Sequence, residues 1–235
     1  MKLKNVLAPA ALLIALLMTA PALAGSEFLF DGYATYSPAP DQLGATMDVY
    51  GILSTVGGVP TPIAVDMDNY EYTVHVEGMT IGVQSSFPPP PFPRMSSIFN
   101  GGMVHIYADA IAGGTAADYG DVSTFVDGEL ILFASVDDGW TLNLMDGSIT
   151  PAGVYTGSGA GTCDFLGGSR IGDISLAEYF LNDWNFLGLD ISDPNPPVTP
   201  VPNGFDRSFK TKLTPPNDPT ASENSTWGKI KSLYH

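Results

Sequence analysis

The residues with the most chemical potential lie in two short segments, Tyr70-Glu71-Tyr72-Thr73-Val74-His75-Val76-Glu77 and Met103-Val104-His105-Ile106-Tyr107-Ala108-Asp109. Period-two alternation puts Glu71, Thr73, His75 and Glu77 on one face of an extended strand. It puts His105, Tyr107 and Asp109 on one face of another. If the two strands are sheet neighbours, two imidazoles and up to three carboxylates converge. Such a set suits a transition metal, which takes imidazole and carboxylate ligands, or a general acid and base. A carboxylate pair drawn from Glu71, Glu77 and Asp109 is what glycoside hydrolysis uses. Against this stands the ordinary polar face of a solvated strand, which also carries Glu, Thr and His, and the spacing matches no zinc motif.

Hard-oxygen ligands recur in the segments expected to be loops. Asp66, Asp68 and Asn69 precede one strand, Asp118 and Asp121 precede another, and Asp190 and Asp193 lie near a proline-rich stretch. Alternate Asp and Asn side chains are what calcium loops supply, although no complete EF-hand or glycine-rich repeat pattern is present. The same residues form turns by hydrogen-bonding their own backbone. Tyrosines in the strands, with Trp140 and Trp184, suit either a sugar-stacking surface or a β core. No Gly-x-Ser-x-Gly, His-Glu-x-x-His, phosphate-loop or dinucleotide motif occurs. Cys163 is the single cysteine, so it forms no disulfide within the chain, and its small-residue surroundings fit a buried, inert thiol.

The elements that must position these residues are strands. Phe28 to Tyr36, Thr46 to Val56, Tyr70 to Glu77, Met79 to Ser85 and Met103 to Ala110 are rich in β-branched and aromatic residues and bounded by Gly, Pro or Asn. From Val122 to Thr156, alternating segments are separated by Asp127-Gly128, Asp137-Asp138-Gly139 and Asp146-Gly147, which reads as an antiparallel meander with tight turns. Nine or ten strands with almost no helix predict a mainly β fold, an antiparallel β-sandwich or a closed β-barrel. One short helix is expected after a capping box at Ser175 and Glu178, with Ala177, Phe180, Leu181 and Trp184 on one face. It would lie across an open end or face of the sheets. Pro88 to Pro93 and Pro194 to Pro202 predict extended surface segments. A final strand is expected over Gly204 to Leu213, its cations lying against the acidic body.

The ends carry their own signals. Lys2 and Lys4, the apolar run Val6 to Ala20 and the small-x-small site Ala22-Leu23-Ala24 predict a cleaved signal peptide over residues 1–24. The expected organisation is then a domain over residues 25–213, a linker over 214–224 and a basic amphipathic tail over 225–235. In that tail Trp227, Ile230, Leu233 and Tyr234 share a helical face suited to docking. An isolated helix this short is marginal in water and orders only against something.

Charge narrows the function classes. The chain holds 9 Lys and Arg against 25 Asp and Glu; loss of Lys2 and Lys4 leaves 7 cations and a net charge of −18. Between Gly25 and Asp206 only Arg94 and Arg170 are cationic, whereas the remainder contains Arg207, Lys210, Lys212, Lys229 and Lys231. So acidic a body repels phosphate backbones and anionic lipid, which disfavours nucleic-acid binding, and favours divalent cations and basic partners. The sequence therefore predicts an exported, non-catalytic structural or binding module of the cell surface or exterior. Calcium would stabilise it, and an envelope protein, a glycan or another copy would be its partner. The competing expectations are a glycan-active enzyme using Glu71, His75, Glu77, His105 and Asp109, and an outer-membrane β-barrel.

Overall fold

The computed structural model describes residues 26–54, 60–87, 94–146, 154–176, 181–195 and 199–216. The expected signal peptide, the run Pro88 to Pro93, residues 177–180 of the expected helix and the whole of the expected tail lie outside them. The described chain forms β1 (Phe28–Ser37), β2 (Thr46–Leu53), β3 (Tyr70–Phe87), β4 (Arg94–Asn100), β5 (Met103–Ala110), β6 (Glu129–Val136), β7 (Trp140–Asp146), β8 (Tyr155–Gly167), β9 (Trp184–Ser192) and β10 (Arg207–Thr214). A short helix α1 (Ile171–Leu176) follows β8, and a 3-10 turn spans Val122–Phe125.

These strands build a closed eight-stave antiparallel barrel. β4 and β5 both run antiparallel to the long β3 and lie end to end, so together they make one stave. β6 and β7 do the same beside β5 and β4. β8 then pairs with both β7 and β6. The remaining pairings β8–β9, β9–β10, β10–β1, β1–β2 and β2–β3 complete the ring. Each stave neighbours the next in sequence, and β10 closes on β1. Of the two arrangements expected from sequence, this is the barrel, which leaves no free sheet edge.

Three local readings change. Residues 70–87 are one strand, not two, with Gly78 accommodating a kink at φ 74°. Val122–Phe125 is a 3-10 turn capped by Asp121 rather than a strand. Asp137-Asp138-Gly139 is not a hairpin turn, because β6 and β7 continue in the same direction. Asp138 Oδ1 accepts from Gly101 N (2.8 Å), Val136 N donates to Gly102 O (2.9 Å) and Gly139 N to Phe99 O (2.9 Å). A positive-φ glycine serves a bulge as well as a turn, and the long-range partners β4 and β5 decide which.

Alternation sorts the faces. Inward positions such as Phe30, Met47, Val49, Val74, Val76, Trp140 and Phe209 are fully buried, so the interior is a packed core. Outward positions carry Asp31, Asp48, Glu71, Glu77, Lys210 and Lys212. A transmembrane barrel has the opposite arrangement, an apolar outside and a polar lumen. In the interior, Trp140 donates from Nε1 to Phe186 O at 3.0 Å.

The two ends are closed differently. At the near end, where β1 begins and β10 finishes, Ile174 of α1 and Ile63 are buried against the core, and Arg170 ties them by donating to Ala64 O (2.7 Å) and pairing with Asp173. A short helix across an open end or face of the sheets was expected; the described helix closes the barrel end and begins earlier than the capping box implied. Its described part is Ile171–Leu176, and Trp184 opens β9, packed edge-on against Phe165 at 4.8 Å. Ile171 and Ile174, one helical turn apart, make the inward stripe of that part; Ala177 and Phe180 lie outside the described residues. At the far end Arg207, only 2% exposed, pairs with Asp41 and Asp193 and lies over the Tyr36 ring.

Candidate functional site

β3 and β5 are neighbours, and His75 lies directly opposite His105 while Glu71 lies opposite Asp109. The register continues on both sides. Tyr33 pairs with Tyr50, Tyr50 with His75, His75 with His105 and His105 with Phe133. Because directly opposed residues share a face, five ring side chains form one row across the outside of β1, β2, β3, β5 and β6. Tyr50 stacks on His75 with centroids 4.5 Å apart and planes 11° off parallel. His75 to His105 is 6.3 Å and His105 to Phe133 is 6.4 Å.

The β5–β6 connection, residues 111–128, crosses this face as a strap. Thr73 Oγ1 donates to Phe125 O at 2.7 Å, Ala117 N donates to Glu71 Oε2 at 2.7 Å, and Thr115 N donates to Asp109 Oδ2 at 3.1 Å. Tyr119 packs edge-on to Tyr33 at 4.8 Å, and its hydroxyl donates to Asp31 O. Phe125 and Phe205 add edge contacts to Tyr50 at 5.6 and 6.0 Å. Burial raises the Tyr119 phenol well above its ordinary range.

The expected histidine and carboxylate set is therefore assembled in register but divided in use. Glu71 and Asp109 each give an oxygen to the strap. Glu77, diagonal to His105, places Oε1 3.6 Å from His105 Nδ1, beyond a hydrogen bond. His75 Nε2 and His105 Nδ1 are both shielded from solvent without a hydrogen-bond partner. Burial lowers the His75 pKa, partly offset by the carboxylates of Glu77 and Asp48. Two largely buried imidazoles, one of them stacked on Tyr50, form a strip that suits planar or apolar contact better than proton transfer.

The expected calcium ligands lie in three separate places. Asp66 accepts from Asn69 N and Nδ2, while Asp68 is exposed in the same turn. Asp118 accepts from Gly120 N, and Asp121 caps the 3-10 turn through Ser123 N and Oγ, which holds its carboxyl below the usual range. Asp190 pairs with Lys210, and Asp193 accepts from Arg207 Nε (2.6 Å) and Tyr155 N. Turn-forming and charge-pairing roles thus occupy most of these oxygens.

Sequence reasoning missed a different acidic group. Asp137, Asp164 and Asp183 bring carboxylate oxygens within 4.8 Å of one another, the one such three-residue group among the described residues. They come from β8 and two connections, and no spacing rule links them. The aromatic row was equally hidden, although the alternation that put His75 and His105 on outward faces was the signal for its centre. No protein-family model, curated protein or solved structure matches this chain.

Proposed function

We propose that this chain is an exported, non-catalytic structural or binding module of the cell surface or exterior, whose working surface is the ring-lined outer face of β1 to β6. The observation carrying this reading is that Glu71 and Asp109, the carboxylates best placed for acid and base work, each accept a backbone N–H from the strap. A pair committed to holding a loop is a poor proton donor and acceptor. The fully packed interior directs any binding to the outside. Tyr50, His75, His105, Tyr107 and Phe133 offer ring surface of the kind that stacks on sugars or on another protein's apolar side chains.

The test is a pair of substitutions, Glu71→Ala and Asp109→Ala, read in thermal melts and against a panel of extracellular glycans. Each should lower stability by about 1 kcal/mol, the worth of a partly exposed charged hydrogen bond, and speed proteolysis of residues 111–128, with no glycan hydrolysed by the parent. Hydrolysis by the parent that the substitutions abolish without loosening the strap would instead establish the enzyme reading. The calcium component is tested by melting in chelator and in millimolar calcium. A rise of several degrees supports it through preferential binding to the folded state, and no change removes it.

A further inference from the structure

A cavity of about 310 Å³ opens on the outer face at the near end, lined by Ile52, Met67, Tyr70 and Ile111 together with Glu71 and Asp109. Met67, Tyr70 and Ile111 are 38, 41 and 57% exposed, an apolar cluster that a folded surface ordinarily covers. Glu71 and Asp109 face each other directly across the ladder, an unfavourable like-charge pairing. Among the described residues no Lys, Arg or His makes an ion pair with either of them. The cavity thus calls for an occupant that is apolar and cationic together.

Outside the expected signal peptide, the chain itself contains one such segment. Ser225 to His235 carries Trp227, Ile230 and Leu233 beside Lys229 and Lys231, while the cations of β10 are already paired with Asp41, Asp193, Asp31, Asp190 and Glu27. β10 finishes at the same barrel end as the cavity, because alternate staves begin and end there. Three strand spacings separate β10 from β3, roughly 14 Å, and residues 217–224 alone reach up to about 26 Å. We propose that this cavity is the docking site of the chain's own Ser225–His235 segment, whose apolar side chains cover Met67, Tyr70 and Ile111 and whose lysines meet Glu71 and Asp109. A short tether holds its segment at about millimolar effective concentration, so docking within one chain outcompetes docking between chains at ordinary protein levels. This goes beyond the binding-module reading and does not depend on it.

The experiment uses the full mature chain with two cysteine pairs, Ile111→Cys with Ile230→Cys, and Leu166→Cys with Ile230→Cys. Ile111 and Leu166 are both 57% exposed, so either tolerates the change, and buried Cys163 stays out of the exchange. Leu166 also lies at the near end, two staves from β10, whereas Ile111 lies four staves away. An undocked tether therefore favours Leu166. Docking predicts an intramolecular disulfide at Ile111 forming about tenfold faster than at Leu166, an advantage that molar salt and Lys229→Glu/Lys231→Glu both erase. Equal rates, or a faster reaction at Leu166, would overturn the proposal. A disulfide-linked dimer through Ile111 would overturn it too, by making a second copy the occupant.

Discussion

Gly159 lies beneath Trp140, and replacing it by alanine probes how tightly the barrel interior is packed. A Cβ there would stand 2.0 Å from Trp140 Cη2 and 2.2 Å from Cζ2, where ordinary contact begins at 3.4 Å. The indole must therefore move by about 1.5 Å to restore contact distance. It has little room to do so. Trp140 is 1% exposed and is held by Phe99, Phe186 and Phe209 at ring distances of 5.4, 5.6 and 6.2 Å. Overpacking of this kind costs about 1–3 kcal/mol, and shifting the ring weakens the Nε1–H bond to Phe186 O, worth about 1 kcal/mol. The sum, about 3 kcal/mol, corresponds to a Tm lowered by roughly 6–12 °C in a domain of this size. Urea titration followed by tryptophan fluorescence and near-ultraviolet circular dichroism measures it. The internal control is Gly172→Ala in α1, where a Cβ meets nothing within 4 Å, and which should stabilise by about 0.5–1 kcal/mol. A Gly159→Ala protein within about 0.5 kcal/mol of the parent would refute the packed-interior argument.

Two further outcomes follow from buried titratable groups. His75 has a folded-state pKa below its ordinary value of 6.5 because burial penalises the cation, so the unfolded chain takes up the proton first as pH falls. Its contribution is complete above pH 6.5 and is lost progressively below, down to the folded-state pKa. His75→Phe, which keeps a ring against Tyr50, should flatten the decline of Tm between about pH 7 and pH 5, and an unchanged decline would sink the assignment. Burial raises the Cys163 thiol far above its ordinary range, with the carboxylates of Asp137 and Asp164 adding to the effect. A thiol reagent at pH 8 should leave the native protein unlabelled and react with one thiol per chain in urea, whereas rapid native labelling would contradict the burial.

Much of the fold was legible because its cause is local. The alternation in Thr46 to Leu53, Tyr70 to Val76 and Met103 to Ala108 gives strands with an apolar inner face whatever their partners. The final strand was visible for the same reason, and its cations do lie against acids, as Lys210 does against Asp31 and Asp190. The described helix begins at Ile171, ahead of the Ser175–Glu178 pattern, and Trp184, expected on its apolar face, opens β9 instead, because the burial of Ile174 and Trp184 is set by the barrel they pack against.

By itself the sequence determined the type of most elements, their inward and outward faces, the charge asymmetry and the facing of His75, Glu77, His105 and Asp109, since each follows from side-chain chemistry and a two-residue period. Only the tertiary structure decided that Asp137 to Gly139 bends one stave instead of joining two. It also decided that Tyr33, Tyr50, His75, His105 and Phe133 share a single row, and that Glu71 and Asp109 hold a strap. Those outcomes depend on cross-strand register and on where a loop between distant strands comes to rest. Both are set by contacts between residues far apart in the chain, which no local pattern encodes.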